Sequence, residues 1–137
     1  MKQLIFMAML LLATTSCFAG GHSPQQKQKK ETVAAKPKMN ILYFHGKQRC
    51  ITCRAIEKLT KEALHELNQK DVAMQVIDIS DPKNETLAQK FKVSWSSLFL
   101  ERGNKRVDLT QMGFRYAKNR PDEFKRQLKA EIAKIKK

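Results

Sequence analysis

The stretch MNILYFHGKQRCITCRAIEKL at residues 39–59 contains a change of apolar spacing that decides the fold. MNILYFHG at 39–46 is rich in β-forming residues and apolar at both alternating sets of positions, which is typical of a strand buried on both faces of a sheet. From Cys50 onward the apolar residues recur every three or four positions, which predicts a helix of about five turns that ends near Asn68. Cys50 and Cys53 therefore lie where a central strand ends and a helix begins.

The rest of the chain continues the alternation of strands and helices. A helix that connects two strands in this way implies that the strands pair in parallel. Gly103 and Asn104 tolerate the positive φ of a tight turn, so the strands on either side form an antiparallel hairpin. The order βαβαββα predicts an α/β fold with a mixed four-stranded sheet flanked by helices. The later predicted elements are a strand at 71–80, a helix at 85–93 capped by Asn84, strands at 97–103 and 105–110, and a helix that begins at Pro121.

The first nineteen residues predict a signal peptide rather than part of the core. Lys2 precedes ten apolar residues at 4–13, and a bilayer span needs roughly 20. Cleavage after Ala19 is the simplest prediction, and it makes the protein exported, either periplasmic or secreted. The alternative interprets TTSC at 14–17 as a lipobox, which leaves Cys17 as a lipid anchor. Either outcome removes Cys17 from the redox chemistry, and export places the other cysteines where disulfides persist.

Residues 20–38 predict a flexible basic tether, and a single domain of ordinary size follows at 39–137. The tether has too few apolar residues to offset the entropy of ordering. The domain has 21 Lys and Arg against 12 Asp and Glu, so +9 of the formal net charge of +14 belongs to it. A solvated surface explains this excess, and the alternatives are attraction to an anionic membrane surface, through the basic tether, or to an acidic partner. Nucleic acid is not expected as a partner, because the chain is exported and no basic run is interleaved with surface aromatic residues.

The cysteines themselves have unequal predicted roles. Cys50 is at the predicted N-cap, where free backbone amides, the helix dipole and the nearby Arg49 and Arg54 stabilise a thiolate. Cys53 is one turn inside the helix and is expected to be more buried, so Cys50 should attack and Cys53 should resolve the mixed disulfide. A stabilised thiolate favours the dithiol form, which predicts an oxidising pair. His45 is the candidate proton shuttle of the preceding strand.

The element order and the position of CITC resemble the thioredoxin-like superfamily over residues 39–137. The resemblance includes VIDIS at 76–80 and FKVSWSSLFLERGN at 91–104, which leads into the hairpin. The string YFHGKQRCITCRAIE at 43–57 is similar to a small group of exported thioredoxin-like proteins labelled ArsF-like. The resemblance implies a thiol:disulfide oxidoreductase that acts on protein or small-molecule thiols and disulfides, together with a redox partner protein. It implies no cofactor beyond the redox-active disulfide of the pair.

The sequence departs from this resemblance at two places. Thioredoxins have a cis-proline before the third core strand, facing the CxxC, whereas here Ser96 or Ser97 stands in its place. The resemblance implies that this proline discourages metal capture by the thiols, so its absence favours metal binding. Thioredoxins also bury a carboxylate beneath the pair as a proton relay, but residues 39–49 contain no Asp or Glu. Tyr43 and His45 are the titratable side chains of that strand, so the predicted proton acceptor is His45 or water.

The substrate groove is predicted from the same resemblance. Trp95, Ser96 and Ser97 lie just before or at the start of the third core strand, so they should line the groove beside the CxxC. For Trp95, packing at the edge of the core and contact with substrate are equal alternatives. Phe114 and Tyr116 are predicted to pack rather than to form a docking surface.

Other interpretations of the cysteine pair remain open. A structural disulfide is disfavoured because so short a loop removes little entropy from the unfolded chain. A metal or metalloid carrier would hold a soft ion such as Cu(I), zinc or an arsenite-like ion through Cys50, Cys53 and His45 without turnover. His65 cannot join these ligands, since it lies about 18 Å further along the helix at 1.5 Å per residue. A non-catalytic partner subunit that uses the fold for docking is a third alternative.

Overall fold

The computed structural model describes residues 38–137 of the chain. The predicted signal peptide at 1–19 lies outside these residues, and so does the predicted tether at 20–38 except for Lys38. None of the described helices is long and apolar enough to cross a membrane. In chain order the described elements are β1 (Met39–His45), α1 (Ile51–Leu67), β2 (Val72–Asp78), a 3-10 turn (Pro82–Asn84), α2 (Glu85–Phe91), β3 (Ser97–Arg102), β4 (Lys105–Asp108), α3 (Thr110–Tyr116) and α4 (Pro121–Lys136).

The four strands of the described residues form one mixed sheet in the order β2-β1-β3-β4. β1 pairs in parallel with β2, with Tyr43 opposite Val76, and antiparallel with β3, with Tyr43 opposite Leu98. β3 and β4 form the predicted antiparallel hairpin, in which Gly103 adopts a φ of 56° that a side chain would disfavour. The central position of β1 and the mixed sheet are therefore as predicted.

The strand β1 is buried on both faces because each face of the sheet carries a hydrophobic layer. Ile41 and Tyr43 belong to the layer formed with α1, α3 and α4, whereas Leu42 and Phe44 belong to the layer formed with α2. Burial on both faces explains why β1 is apolar at both alternating sets of positions. Fully buried members of the first layer, which is the larger, include Ile56, Leu98, Leu100, Phe124, Leu128 and Ile132.

The helix α3 differs from the prediction, which extends a strand to Thr110 and places no helix between that strand and Pro121. The strand in fact ends at Asp108, and the Thr110 amide donates to Oδ1 of Asp108 at 2.8 Å as α3 begins. Gly113 allows α3 to approach α1, because a Cβ there would lie 3.2 Å from Cδ1 of Ile56. The fold class is unchanged, since α3 packs in the same layer as α1 and α4.

The helix α2 begins differently from the prediction as well. Asn84 makes no side-chain cap, because its Nδ2 donates to the Asp78 carbonyl oxygen at 2.9 Å instead. Asp81 caps the preceding 3-10 turn by accepting a hydrogen bond from the Lys83 amide at 3.0 Å. These contacts tie the end of β2 to the start of α2. The end of β2 lies beside His45, at the edge of the sheet from which the chain leads to the cysteines.

Candidate functional site

Cys50 and Cys53 are free thiols at the start of α1, and they differ in exposure. Cys50 is the N-cap residue, with φ −70° and ψ 167°, and its Sγ accepts a hydrogen bond from the Cys53 amide at 3.1 Å. This bond satisfies one of the amides that a helix leaves free in its first turn. Cys53 is buried, with 5% of its surface exposed. The capping position of Cys50 and the burial of Cys53 are both as predicted.

Cys53 is hydrogen bonded to two hydroxyl groups, to one through its buried thiol and to the other through its backbone carbonyl oxygen. Its Sγ donates to Oγ of Ser96 at 3.6 Å, and its carbonyl oxygen accepts a hydrogen bond from the Tyr43 hydroxyl at 2.8 Å. Burial raises the pKa of the Cys53 thiol, but hydrogen bonding, first with Cys50 and then with Ser96, outweighs burial and lowers the pKa. Cys53 therefore ionises more readily than its burial alone would allow.

Tyr43 occupies the space beneath the pair, on the strand where the resemblance implies a carboxylate. Its side chain is fully buried, and burial together with the nearby Cys53 raises the pKa of Tyr43 to about 12. The hydroxyl is therefore protonated near neutral pH and serves as a hydrogen-bond donor. It does not replace the missing carboxylate as a proton acceptor, so His45 or water stays the predicted acceptor.

Arg49 belongs to an ion pair that sequence reasoning missed. Its guanidinium donates to the Glu57 carboxylate and lies over the Tyr43 ring, 5.8 Å from the centroid. Burial raises the pKa of Glu57, but hydrogen bonds from Lys61 and Arg49 outweigh burial and hold it below the ordinary carboxyl value. The helical period places Glu57 on the polar face of α1. The one signal in the sequence for this ion pair was the opposite charge of Arg49, eight residues before Glu57. Much of the Arg49 charge is thus neutralised by Glu57 instead of acting on the thiols.

Arg54 and His45 were also predicted to tune the pair, and in the described part of the chain neither donates a hydrogen bond to a sulfur. Arg54 is exposed and turns back, so that its Nε donates to the Arg49 carbonyl oxygen at 3.4 Å. Nδ1 of His45 lies 3.0 Å from the Gly46 carbonyl oxygen. The roles of Arg54 in pKa tuning and of His45 as a proton shuttle therefore stay predictions.

The metal alternative names three ligands, which are the two sulfurs and His45. Among residues 38–137, no three His, Cys, Asp or Glu side chains lie close enough together to hold one ion. His45 therefore does not complete the predicted ligand set in this arrangement. A carrier would hold a soft ion through the two thiolates alone or with a ligand from a partner.

The three predicted groove residues lie together before or at the start of β3, but their contacts differ. Ser96 contacts the Cys53 sulfur, whereas Ser97 is buried and its Oγ donates to the Trp95 carbonyl oxygen at 3.1 Å. Trp95 is 65% exposed and stacks on Phe114, with 6.2 Å between ring centroids and 12° between ring planes. An open cavity of about 430 Å³ on this side is lined by Trp95, Ser97, Asp108, Thr110, Gln111 and Phe114.

Comparison with solved structures assigns the fold. The germline-specific thioredoxin Deadhead of Drosophila melanogaster matches with a TM-score of 0.51 and 23% identity, over 74% of this chain and 85% of that one. Thioredoxin f2 of Chlamydomonas reinhardtii matches with a TM-score of 0.44 and 17% identity, over 56% of this chain and 68% of that one. Fasciola hepatica thioredoxin matches with a TM-score of 0.42 and 22% identity, over 53% and 66%.

No family model and no curated protein matches the chain. The match to Deadhead and the mixed sheet flanked by helices together show that the chain has a thioredoxin-like fold. The fold class predicted from the sequence is therefore confirmed. The similarity to the narrower ArsF-like group stays a prediction.

Proposed function

We propose that this chain is an exported thiol:disulfide oxidoreductase in which Cys50 is the attacking sulfur and Cys53 the resolving sulfur. The observation that carries the proposal is the unequal exposure of two neighbouring thiols in a thioredoxin-like fold, since Cys50 is exposed and Cys53 is buried. A disulfide on another molecule can reach only the exposed sulfur. The buried thiol belongs to the first turn of the same helix, and the amide of its own residue is hydrogen bonded to Cys50 Sγ at 3.1 Å, which supports Cys53 as the sulfur that acts second.

The exchange reaction has two steps in which the electrons balance. The Cys50 thiolate attacks a substrate disulfide, which forms a mixed disulfide and releases one substrate thiolate. Cys53 loses its proton to water and attacks Cys50 Sγ, and the bond from Cys50 to the substrate sulfur breaks. The substrate has then gained two electrons, and the cysteine pair has become a disulfide. The same steps run in reverse when the oxidised pair makes a disulfide in a dithiol substrate.

We infer that the pair acts mainly as an oxidant. The lowered pKa of Cys53 supports a reduced form that is stabilised by ionisation, and the hydrogen bond from the Cys53 amide to Cys50 Sγ stabilises the same form. Stabilising the reduced form of a dithiol raises its reduction potential. A measured potential near or below about −270 mV, the value typical of thioredoxin, would contradict this direction.

The surface beside the pair supports thiol or disulfide substrates that carry apolar groups. Ile51, between the two cysteines, is 70% exposed, and Trp95, next to the serine that contacts Cys53, is 65% exposed. Large apolar side chains left exposed beside a reactive sulfur are suited to contact with another molecule. We expect a protein or small-molecule substrate and a redox partner protein to use this surface in turn, and we expect no nucleic acid there.

A disulfide-exchange assay tests the assigned roles, with Cys17→Ser in every variant so that activity belongs to the pair alone. The substrate is a peptide disulfide whose cleavage releases a fluorescent thiol. Cys50→Ser should abolish turnover. Cys53→Ser should accumulate a mixed disulfide with the peptide, seen as a mass increase that dithiothreitol reverses. Turnover by Cys50→Ser, or failure of Cys53→Ser to accumulate the adduct, would contradict the roles.

A carrier that binds a soft metal or metalloid ion through the same two sulfurs is the alternative function. One observation favours it, because Ser96 rather than proline stands beside Cys53. Alkylation of the reduced protein, with and without stoichiometric Cu(I) or Zn(II), separates the two functions. Full protection of both thiols without any turnover favours the carrier, and turnover without protection favours the enzyme.

We propose export on the sequence alone, since the predicted signal peptide lies outside the described residues. Cleavage after Ala19 predicts a mature protein that begins at Gly20. Expression with the native N-terminus in a bacterium with a periplasm, followed by mass spectrometry of each fraction, tests this prediction. A membrane-bound product that carries an acylated Cys17 would support the lipid anchor instead, and an uncleaved cytoplasmic product would contradict both.

A further inference from the structure

We propose that Ser96 is a catalytic residue of the resolving step, through a hydrogen bond between its hydroxyl and the Cys53 sulfur that reverses direction when Cys53 ionises. The proposal rests on the proposed oxidoreductase function, because Cys53 is the sulfur that releases the substrate. Sequence reasoning predicts Ser96 only as a residue that lines the substrate groove. The contact with sulfur gives this residue a separate role.

The geometry that supports this role is local to the loop before β3. Sγ of Cys53 and Oγ of Ser96 are 3.6 Å apart, an ordinary length for a hydrogen bond that involves sulfur. Within residues 38–137 Ser96 makes no other side-chain hydrogen bond, so its hydroxyl can serve as acceptor or donor. The next residue differs, because Ser97 is buried and its Oγ donates to the Trp95 carbonyl oxygen.

The other protic side chains near the pair have hydrogen-bond or ion-pair partners of their own. The Tyr43 hydroxyl donates to the Cys53 carbonyl oxygen at 2.8 Å, and its pKa of about 12 keeps it protonated. His45 contacts the Gly46 carbonyl oxygen, and Glu57 is held in ion pairs. The Tyr43 hydroxyl also lowers the pKa of Cys53, but less than Ser96 does, and the hydrogen bond of Ser96 is made to the sulfur itself.

The hydroxyl changes its hydrogen-bond direction during the step without a net change of protons. In the reduced site the thiol donates to Oγ of Ser96. When Cys53 loses its proton to water, rotation of the hydroxyl directs its hydrogen at the thiolate, which is a stronger, charge-assisted bond. The thiolate electron pair then forms the bond to Cys50 Sγ. The bond from Cys50 to the substrate sulfur breaks, and its electron pair leaves with the substrate.

Ser96→Ala tests this role, with Ser94→Ala, an exposed serine of the same loop, as the matched control and Ser96→Thr as a variant that keeps the hydroxyl. Loss of one hydrogen bond to an ionised group should raise the pKa of Cys53 by about one unit, which makes the thiolate fraction about tenfold smaller at a pH below the pKa. A more basic thiolate is also a better nucleophile, with a Brønsted slope of about 0.4–0.5. The resolving rate of Ser96→Ala should therefore fall about threefold.

The resolving rate is measured in a single turnover, as release of a fluorescent thiol from a mixed disulfide preformed on Cys50. Ser96→Thr and Ser94→Ala should keep the wild-type rate, and the pH dependence of the rate reports the pKa of Cys53. Equal rates for Ser96→Ala and Ser94→Ala would overturn the proposal. An equal loss in Ser96→Ala and Ser96→Thr would also overturn it, because the hydroxyl would then be irrelevant.

A second measurement separates this proposal from the proposed function. Alkylation of Cys53 against pH, in a Cys50→Ala background, requires no turnover. If the wild type shows no disulfide exchange but Ser96→Ala still raises the pKa of Cys53, the hydrogen bond is supported and the oxidoreductase function is overturned. If the wild type does exchange disulfides but Ser96→Ala leaves the pKa of Cys53 unchanged, the function is supported and the role of Ser96 is overturned.

Discussion

Tyr43 and Tyr116 have surroundings that move their pKa values in opposite directions. Burial raises the pKa of Tyr43 to about 12, whereas hydrogen bonds with Arg115 and Gln127 lower the pKa of Tyr116. We expect a spectrophotometric titration of the tyrosines to show two separate steps, one below the ordinary value of about 10 and one near pH 12. Tyr116→Phe should remove only the lower step. A single step for both tyrosines at the ordinary value would contradict the burial of Tyr43.

The Glu57 carboxylate joins the loop before α1 to the helix, since it pairs with both Arg49 and Lys61. Although burial raises the pKa of Glu57, hydrogen bonds from these partners hold it below the ordinary carboxyl value. A folded-state pKa below the unfolded value gives stabilisation that is present above the ordinary value of about 4.3. The stabilisation is lost as the pH falls through the lowered value.

Glu57→Gln should therefore lower the free energy of unfolding by about 1–2 kcal/mol at neutral pH and by almost nothing in strong acid. Urea denaturation of the reduced protein at both pH values measures this difference. The control is Glu62→Gln on the same helix, whose side chain is 41% exposed against 17% for Glu57. An equal loss for Glu57→Gln in acid would show that the ion pairs do not supply the stabilisation.

Hydrogen bonds at the buried Thr110 hold the start of helix α3 against strand β3. Its Oγ1 accepts a hydrogen bond from the Leu98 amide at 3.0 Å, and the Leu109 amide donates to the Leu98 carbonyl oxygen at 2.8 Å. Thr110→Val keeps the shape but leaves the Leu98 amide without its acceptor, which should cost about 1–3 kcal/mol of unfolding free energy. Thr110→Ser keeps the hydroxyl and should cost less. Equal losses in urea denaturation would contradict the hydrogen-bond explanation.

The elements that the sequence predicts well are those with long, unbroken apolar patterns. β1 is apolar at every buried position, and α1 keeps its helical period over 17 residues, so both are predicted within a residue or two. α3 has only seven residues with Gly113 in the middle, and its start depends on a side-chain bond from Asp108. A helix so short has little intrinsic stability, so its tertiary contacts decide its existence.

The same distinction applies to the candidate site. The cap position of Cys50 and the burial of Cys53 follow from the helix that contains them, so the sequence predicts both. The contact of Ser96 with Cys53 joins residues 43 positions apart, and it depends on how the loop before β3 packs on α1. A contact of that kind has no local sequence pattern, which is why Ser96 could not be distinguished from Ser97.

Along the chain, strand β1 lies between the predicted tether and the cysteines. The tether joins β1 at Met39, and the strand runs to His45, from which the chain leads to Cys50. Seven residues at about 3.3 Å each place these two ends roughly 20 Å apart. The first described residues of the chain are therefore at the opposite end of β1 from the loop that leads to the cysteines.

The charge of the predicted tether, five lysines and one glutamate at 20–38, should produce weak binding to anionic membranes. Each lysine near such a surface contributes about 1 kcal/mol, and salt screens this attraction over about 8 Å at physiological ionic strength. The mature chain should thus sediment with phosphatidylserine vesicles at low salt, but not at high salt or with phosphatidylcholine alone.

Binding should fall at least about tenfold on charge reversal to Glu of three tether lysines, Lys27, Lys29 and Lys30. The matched control reverses three exposed domain lysines, Lys83, Lys90 and Lys92. An equal loss in both triple variants would show that vesicles respond to the net charge of the chain and not to the tether.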